Sequence, residues 1–465
     1  MLNIINNVDS YKASHYKQYP EGTSSVFSYF ESRGGRFPNT LFFGLQYILK
    51  AQFLQPVTEK MVFEAEKLFK AHGVPFNTDG WLYIARDLKG KLPLKIRAVP
   101  EGSLVPNHNV LFTVENTDPK CFWLTSYVET ALVRSWYPIT VSTQSYYIKK
   151  MILEYLEKTS DDPQTQINFK LHDFGSRGVS SQESAGIGGA AHLVNFLGTD
   201  TVTAMLFAMQ FYGAEFPPAF SIPAAEHSTI TSWGKDNEID AYRNMLKQFA
   251  TPNSLVAVVS DSYDLNNAVD HLWGEQLREE VIKSGATVVI RPDSGDPATV
   301  VHRTMESLAD RFGYYLNNKG YKVLKYVKVI QGDGVNEHSI KQILDKLIQS
   351  DFSIDNIAFG MGGGLLQQVN RDTNKFAYKC SSVTVKGKER DVFKDPVTDP
   401  GKKSKAGKQD LILTPGGSYR TVNYLSQDTI METVFLNGEI MKEYSWKEIR
   451  DRANATLQEI AEASS

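Results

Sequence analysis

Cysteine is scarce. The 465-residue chain has two, Cys121 and Cys380, far apart and with no CxxC pair. A disulfide scaffold is therefore excluded, and a reducing, cytoplasmic setting is expected. Long apolar runs are missing too: no stretch approaches the roughly 18 apolar residues that span a bilayer. The first nine residues have no basic start and no apolar run, so no secretory leader is expected either. Charge of one sign is not in excess, with 50 Lys+Arg against 53 Asp+Glu and a formal net charge of −3. That balance argues against a nucleic-acid binder. There is no GxxxxGK[ST] phosphate loop and no HExxH, and the nine histidines lack metal-ligand spacing, so zinc is not expected. What is present, 42% hydrophobic residues and 33 glycines, matches an ordinary globular chain able to bury a large core.

Two periodicities alternate in the middle of the chain. β-Branched runs recur at 166–171, 255–259, 287–290, 326–330 and 354–359. Between two of them, Ile340, Ile343, Leu344, Leu347 and Ile348 recur at helical spacing. Strand, helix, strand at this distance implies parallel pairing, in a barrel or a doubly wound sheet. The flanks mix strand-like pieces (25–30, 94–99) with amphipathic helices. One of these carries Met61, Ala65, Leu68 and Phe69 on one face and stops at Gly73, and another carries Ile148, Met151, Ile152, Tyr155 and Leu156. Length alone suggests about three domain-sized units. The pattern reduces these to two: a split α+β domain of residues 1–164 plus 381–465, and an α/β domain of residues 165–380.

The residues just beyond each strand carry the chemistry. Polar, charged and glycine residues collect there: His172–Arg177, Glu226–His227, Ser260–Asp264, Arg291–Asp296, Gln331–Gly334 and Gly360–Gly364. Parallel α/β folds build active sites at this end of their strands. The two glycine clusters are either phosphate-binding loops or ordinary tight turns. Arg177 and Arg291 suit bidentate phosphate binding or surface ion pairs. Asp261, Asp264, Asp293 and Asp296 could hold Mg²⁺, or cap helices, as at least one of them is expected to do. The pattern Gly186-x-Gly188-x-x-Ala191 does not follow an apolar strand, so no dinucleotide site is assigned to it. His172, His192 and His227 lie near the rim, where a hydrogen-bonded core role competes with a catalytic one.

Seven separated segments, at residues 9–16, 110–119, 171–178, 223–228, 290–295, 331–334 and 393–396, together resemble the nicotinamide phosphoribosyltransferases, in one order over nearly the whole chain. The resemblance implies an irregular parallel α/β barrel of the type II phosphoribosyltransferase kind with a second, smaller α+β domain. It implies a homodimer with active sites at the subunit interface. The reaction would join nicotinamide to phosphoribosyl pyrophosphate with Mg²⁺, giving nicotinamide mononucleotide and pyrophosphate for NAD salvage, with ATP hydrolysis coupled through a phosphohistidine.

Carried over by position, the resemblance puts Phe174 on one face of the pyridine ring and Tyr11 of the partner subunit on the other. Asp200 would accept a hydrogen bond from the carboxamide and repel the carboxylate of nicotinate. Arg177, His227 and Arg291 would contact phosphates, with His227 the phosphorylated residue. Asp293, Gly332, Asp333 and Gly363 would hold the ribose and phosphate, and His227, Arg291 and Asp293 form the catalytic group. Arg371, Lys379, Lys394 and Lys402 would add positive charge to the phosphate channel, and Asp264 and Asp293 would hold Mg²⁺. Two departures stand out: the short segment 32–40, which points to a bacterial-type member, and Met361, where many members carry Ser. The same fold acting on nicotinate or a related pyridine is one alternative. A non-enzymatic binding or signalling protein on that fold is another.

Overall fold

The five β-branched runs all contribute to one parallel sheet, though not all begin where their residues suggest. The computed structural model describes residues 3–398 and 403–464. The sheet consists of β1 (Leu171–Asp173), β2 (Gly198–Thr199), β3 (Leu255–Val259), β4 (Thr287–Arg291), β5 (Val327–Gln331) and β6 (Ile357–Met361). Its order is β2-β1-β6-β5-β4-β3, with every pair parallel. The expected strand at 166–171 is instead mostly helical: Asp162 caps a short helix that opens on Pro163, and a 3-10 turn fills Ile167–Phe169. A capping Asp before a Pro at the first helical position is a helix start.

The sheet curls until its two edge strands meet one short extended segment. Phe220 bridges Gly198 of β2, and Ala224 bridges Ala257 of β3, both in parallel sense. Phe220 N–H donates to Leu197 O at 2.8 Å, and Ala257 N–H donates to Pro223 O at 3.0 Å. Residues 220–224 thus close an irregular barrel. Helices return the chain from strand to strand. The one at Pro297–Phe312 starts at the Asp296 cap and buries Val301, Met305, Leu308 and Phe312. Glu337–Gln349 starts at an Asn336–Ser339 capping box and buries Ile340, Ile343, Leu344 and Leu347. Each such side chain contributes roughly 1.5–3 kcal/mol on burial.

The flanking segments form a seven-stranded antiparallel sheet in which Phe376–Val385, Thr23–Ser32 and Val110–Asn116 are neighbours. Phe30 stacks between Phe112 and Phe376, with ring centroids 4.6 and 5.2 Å apart. Helix Glu59–His72 ends where expected, at Gly73 with φ 88°. Its buried face is Val62, Ala65 and Phe69, however, and Leu68 is exposed.

The chain divides into two compact units: Met1–Thr143 with Phe207–Ala214 and Asn370–Ser465, and Gln144–Leu206 with Glu215–Val369. The first division falls inside helix Trp136–Thr159, twenty-odd residues before the bound at 164 read from the strand pattern. The α+β unit holds slightly more of the chain than the barrel unit, against the expectation that it is the smaller. Among the described residues no helix is long and apolar enough to cross a membrane.

Candidate active site

The C-terminal ends of β3 and β4, with the short helix that opens at His227, bring six polar side chains together. Arg291, the last residue of β4, donates from Nη2 to both oxygens of Asp293 at 2.9 Å and from Nε to Oδ1 at 3.1 Å. His227 faces the same carboxylate, with Nε2 at 3.3 Å from Asp293 Oδ2, and lies 3.6 Å from Asp261 Oδ1. Its Nδ1 is 3.2 Å from Ser262 Oγ. Asp261 Oδ2 accepts from the Asp293 N–H at 3.1 Å and from Ser294 Oγ at 2.6 Å. The three residues expected to act together, His227, Arg291 and Asp293, are therefore in contact.

Below this cluster a cavity of about 470 Å³ runs into the barrel. Phe174, Asp200, Ser221 and Arg291 line one end, and Lys170, Lys328 and Asp355 the other. Its apolar floor is Ala257, Val289 and Ile330, with Phe174, Ile222 and Ala358 packed on it. This volume suits a small aromatic ligand with a polar substituent. Lys170 is buried, donates to the carbonyls of Ile354, Ile357 and Asp355, and has its pKa pulled down to about 7 by that burial. His172 is also held below its usual range, chiefly by burial.

Phe174 is seated by glycine. At Gly360, in β6, an added Cβ would lie inside the Phe174 ring; at Gly332 it would lie 3.4 Å from that ring and 3.3 Å from Arg291 Nε. Gly362 leaves room for the Phe174 carbonyl. The glycine cluster after β6 thus has a packing reason that phosphate binding does not supply. Asp200 stands exposed at the end of β2, where Ser221 Oγ donates to its Oδ1 at 2.6 Å. One carboxylate oxygen is thereby oriented while the other stays available.

The other expected residues separate into groups. Arg177 lies exposed in the turn after Phe174, and Asp333 lies exposed after β5, its carbonyl held by Gln331 Nε2 at 2.7 Å. An added Cβ on Gly363 would meet Gln367 Oε1 at 2.9 Å. Asp264 commits Oδ1 to capping, accepting from the N–H groups of Asn266 and Asn267, and Asp296 likewise caps the helix at 297. Asp261 Oδ1, by contrast, is buried with no hydrogen-bond partner and faces His227 Nε2 at 3.6 Å. That hard oxygen fits Mg²⁺. No three His, Cys, Asp or Glu among the described residues could hold an ion by themselves, so water and phosphate oxygens would complete its shell.

In the α+β unit, Tyr11 is 60% exposed on a 3-10 turn. Lys379 is half-buried, and burial chiefly, with Arg33, Lys394 and Arg371 nearby, lowers its pKa. Three expected cations thus cluster, together with Arg33, which sequence reasoning missed. Lys402 lies outside the described residues. Of the three rim histidines, His192 is a core residue, fully buried and hydrogen-bonded to Ser145 Oγ at 2.9 Å.

A closed parallel barrel with this rim is that of a type II phosphoribosyltransferase. It is similar to the structure of nicotinate-nucleotide pyrophosphorylase from Pyrococcus furiosus, with a TM-score of 0.61 and 15% identity over 99% of this chain and 98% of that one. The chain belongs to the nicotinate phosphoribosyltransferase (NAPRTase) family, matched over residues 169–439, and residues 3–96 match the nicotinamide phosphoribosyltransferase N-terminal domain. It is 54% identical to a nicotinamide phosphoribosyltransferase of Xanthomonas campestris pv. campestris over 97% of this chain and 98% of the relative. It is 32% identical to a nicotinamide phosphoribosyltransferase of Acinetobacter baylyi over 100% and 99%. The protein is an enzyme of this family.

Proposed function

We propose that the enzyme transfers the phosphoribosyl group of phosphoribosyl pyrophosphate to nicotinamide, forming nicotinamide mononucleotide and pyrophosphate for NAD salvage. The observation that carries this reading is Asp200: a carboxylate oriented by Ser221 at the end of a cavity shared with Phe174 and Arg291. A carboxylate accepts from an amide and repels an acid.

Phe174 presents a ring face against which a pyridine stacks, which aims its nitrogen at the ribose C1. The nitrogen lone pair forms the new C1–N bond as the C1–O bond to pyrophosphate breaks, and the leaving group carries off that electron pair. Arg291 and Arg177 supply charge for the pyrophosphate. Asp293 and Asp261, with Asp264 close by in sequence, would hold Mg²⁺, which neutralises charge on the leaving group when bound. By resemblance to the family, Arg371, Lys379, Lys394 and Lys402 would add positive charge for the phosphates, and Gly332, Asp333 and Gly363 would hold the ribose and phosphate. In a homodimer, Tyr11 of the partner subunit would cover the second ring face. Incubation with nicotinamide, phosphoribosyl pyrophosphate and Mg²⁺ is expected to yield the mononucleotide, read by chromatography. No product with or without ATP would overturn the proposal.

ATP enters through His227. This imidazole is half exposed and fixed by two carboxylates and a hydroxyl. In the proposed cycle one of its nitrogens takes the γ-phosphoryl group as ADP leaves, and water later cleaves the P–N bond to release phosphate. His227→Ala is expected to bring the ratio of rates with and without ATP to one. Full stimulation in the variant would place the phosphohistidine elsewhere.

A further inference from the structure

We infer that Asp173 is a positioning residue for the pyridine, holding the Phe174 turn in register with Asp200; this rests on the proposed nicotinamide reading. Asp173 is fully buried at the end of β1 and touches no open part of the cavity. Three loops meet on it. Its Oδ1 accepts from the Gly175 N–H at 2.7 Å, which fixes the turn that carries Phe174. Its own carbonyl accepts from the Asp200 N–H at 3.0 Å, and the next N–H, that of Phe174, donates to Met361 O at 3.0 Å. The ring face and the carboxamide acceptor are therefore set by one residue and its immediate neighbour.

The carboxyl is held there at a disadvantage. Its Oδ2 is buried in a space left by Gly189, where an added Cβ would come within 3.0 Å, and the Thr201 hydroxyl is its polar neighbour. Burial raises its pKa to about 6. Taking a carboxylate out of water is costly, so a residue chosen for stability alone would not be acidic. The side chain's backbone contact is the Gly175 N–H, which points to the turn as the reason for its presence.

The test compares Asp173→Ala with Asp173→Asn, whose Oδ1 still accepts from Gly175. The alanine variant is expected to raise the KM for nicotinamide by about tenfold or more and the KM for phosphoribosyl pyrophosphate by less than about threefold. The asparagine variant is expected to restore the nicotinamide KM to within about threefold of wild type. A nicotinamide KM unchanged in the alanine variant, parallel losses in both KM values, or an asparagine variant no better than alanine would each overturn the inference. If the alanine variant does not fold, Asp173→Ser is read by the same criteria. Should the wild type use nicotinate and not nicotinamide, the substrate reading falls, and the same split is measured with nicotinate.

Discussion

Gly360→Ala is expected to reduce kcat/KM for nicotinamide by about 100-fold or more while leaving the fold intact, because misplacing a reacting group by an ångström costs about that much. Gly360 sits within β6 and pairs with His172 of β1, so its backbone has little freedom to retreat. The Phe174 ring must give way, since the new methyl group would occupy its place. Moved off its seat, the ring no longer offers the pyridine a face at the right height. Steady-state kinetics, with circular dichroism as the control, decides the matter. The decisive comparison is a cycle. Phe174→Ala removes the clash, so the double variant is expected to be no worse than Phe174→Ala alone, a strongly non-additive result. Additive losses would show that Gly360 acts through something other than the ring.

Asp200→Ser is expected to shift the nicotinamide-to-nicotinate ratio of kcat/KM by about 100-fold toward nicotinate. Two effects combine. The amide loses an ionic acceptor, the kind of hydrogen bond worth roughly 1.5–3 kcal/mol, and the acid loses a like charge that opposed it. Ser221 sharpens the expectation, since with Asp200 gone its Oγ–H is released to donate to a carboxylate in the same space. Competition between the two pyridines in one vessel measures the ratio directly. An unchanged ratio would remove Asp200 from substrate choice.

Some of this was legible in the residues and some was not. β3, β4 and β5 were readable because each is rich in β-branched residues, and the rim was readable from the polar residues at and just beyond their ends. β1 was misplaced because Ile167 and Phe169 look like strand residues, whereas Asp162 and Pro163 had already started a helical turn. Leu68 was misassigned because helical spacing admits two neighbouring faces, and only tertiary packing chooses between them. The contact of His227 with Asp293 was foreseen as a shared role, yet no spacing announces it: 66 positions separate the two residues. Asp173 was passed over because an Asp beside a His and a Phe reads as one more polar rim residue. Its burial appears only once Gly189 and β2 close over it. Arg33 was hidden in a segment notable mainly for being short.

The barrel is held shut along a seam of two isolated bridges, and the strap that makes them, residues 220–224, also carries Ser221 and Ile222 into the ligand cavity. One wall of the pocket and the closing seam of the ring are therefore the same short segment. A ligand that fills the cavity fastens that seam, and an opening of the seam releases the ligand. A ligand that binds only the closed ring therefore stabilises that closure, and substitutions in this segment are expected to change pyridine affinity and barrel stability together.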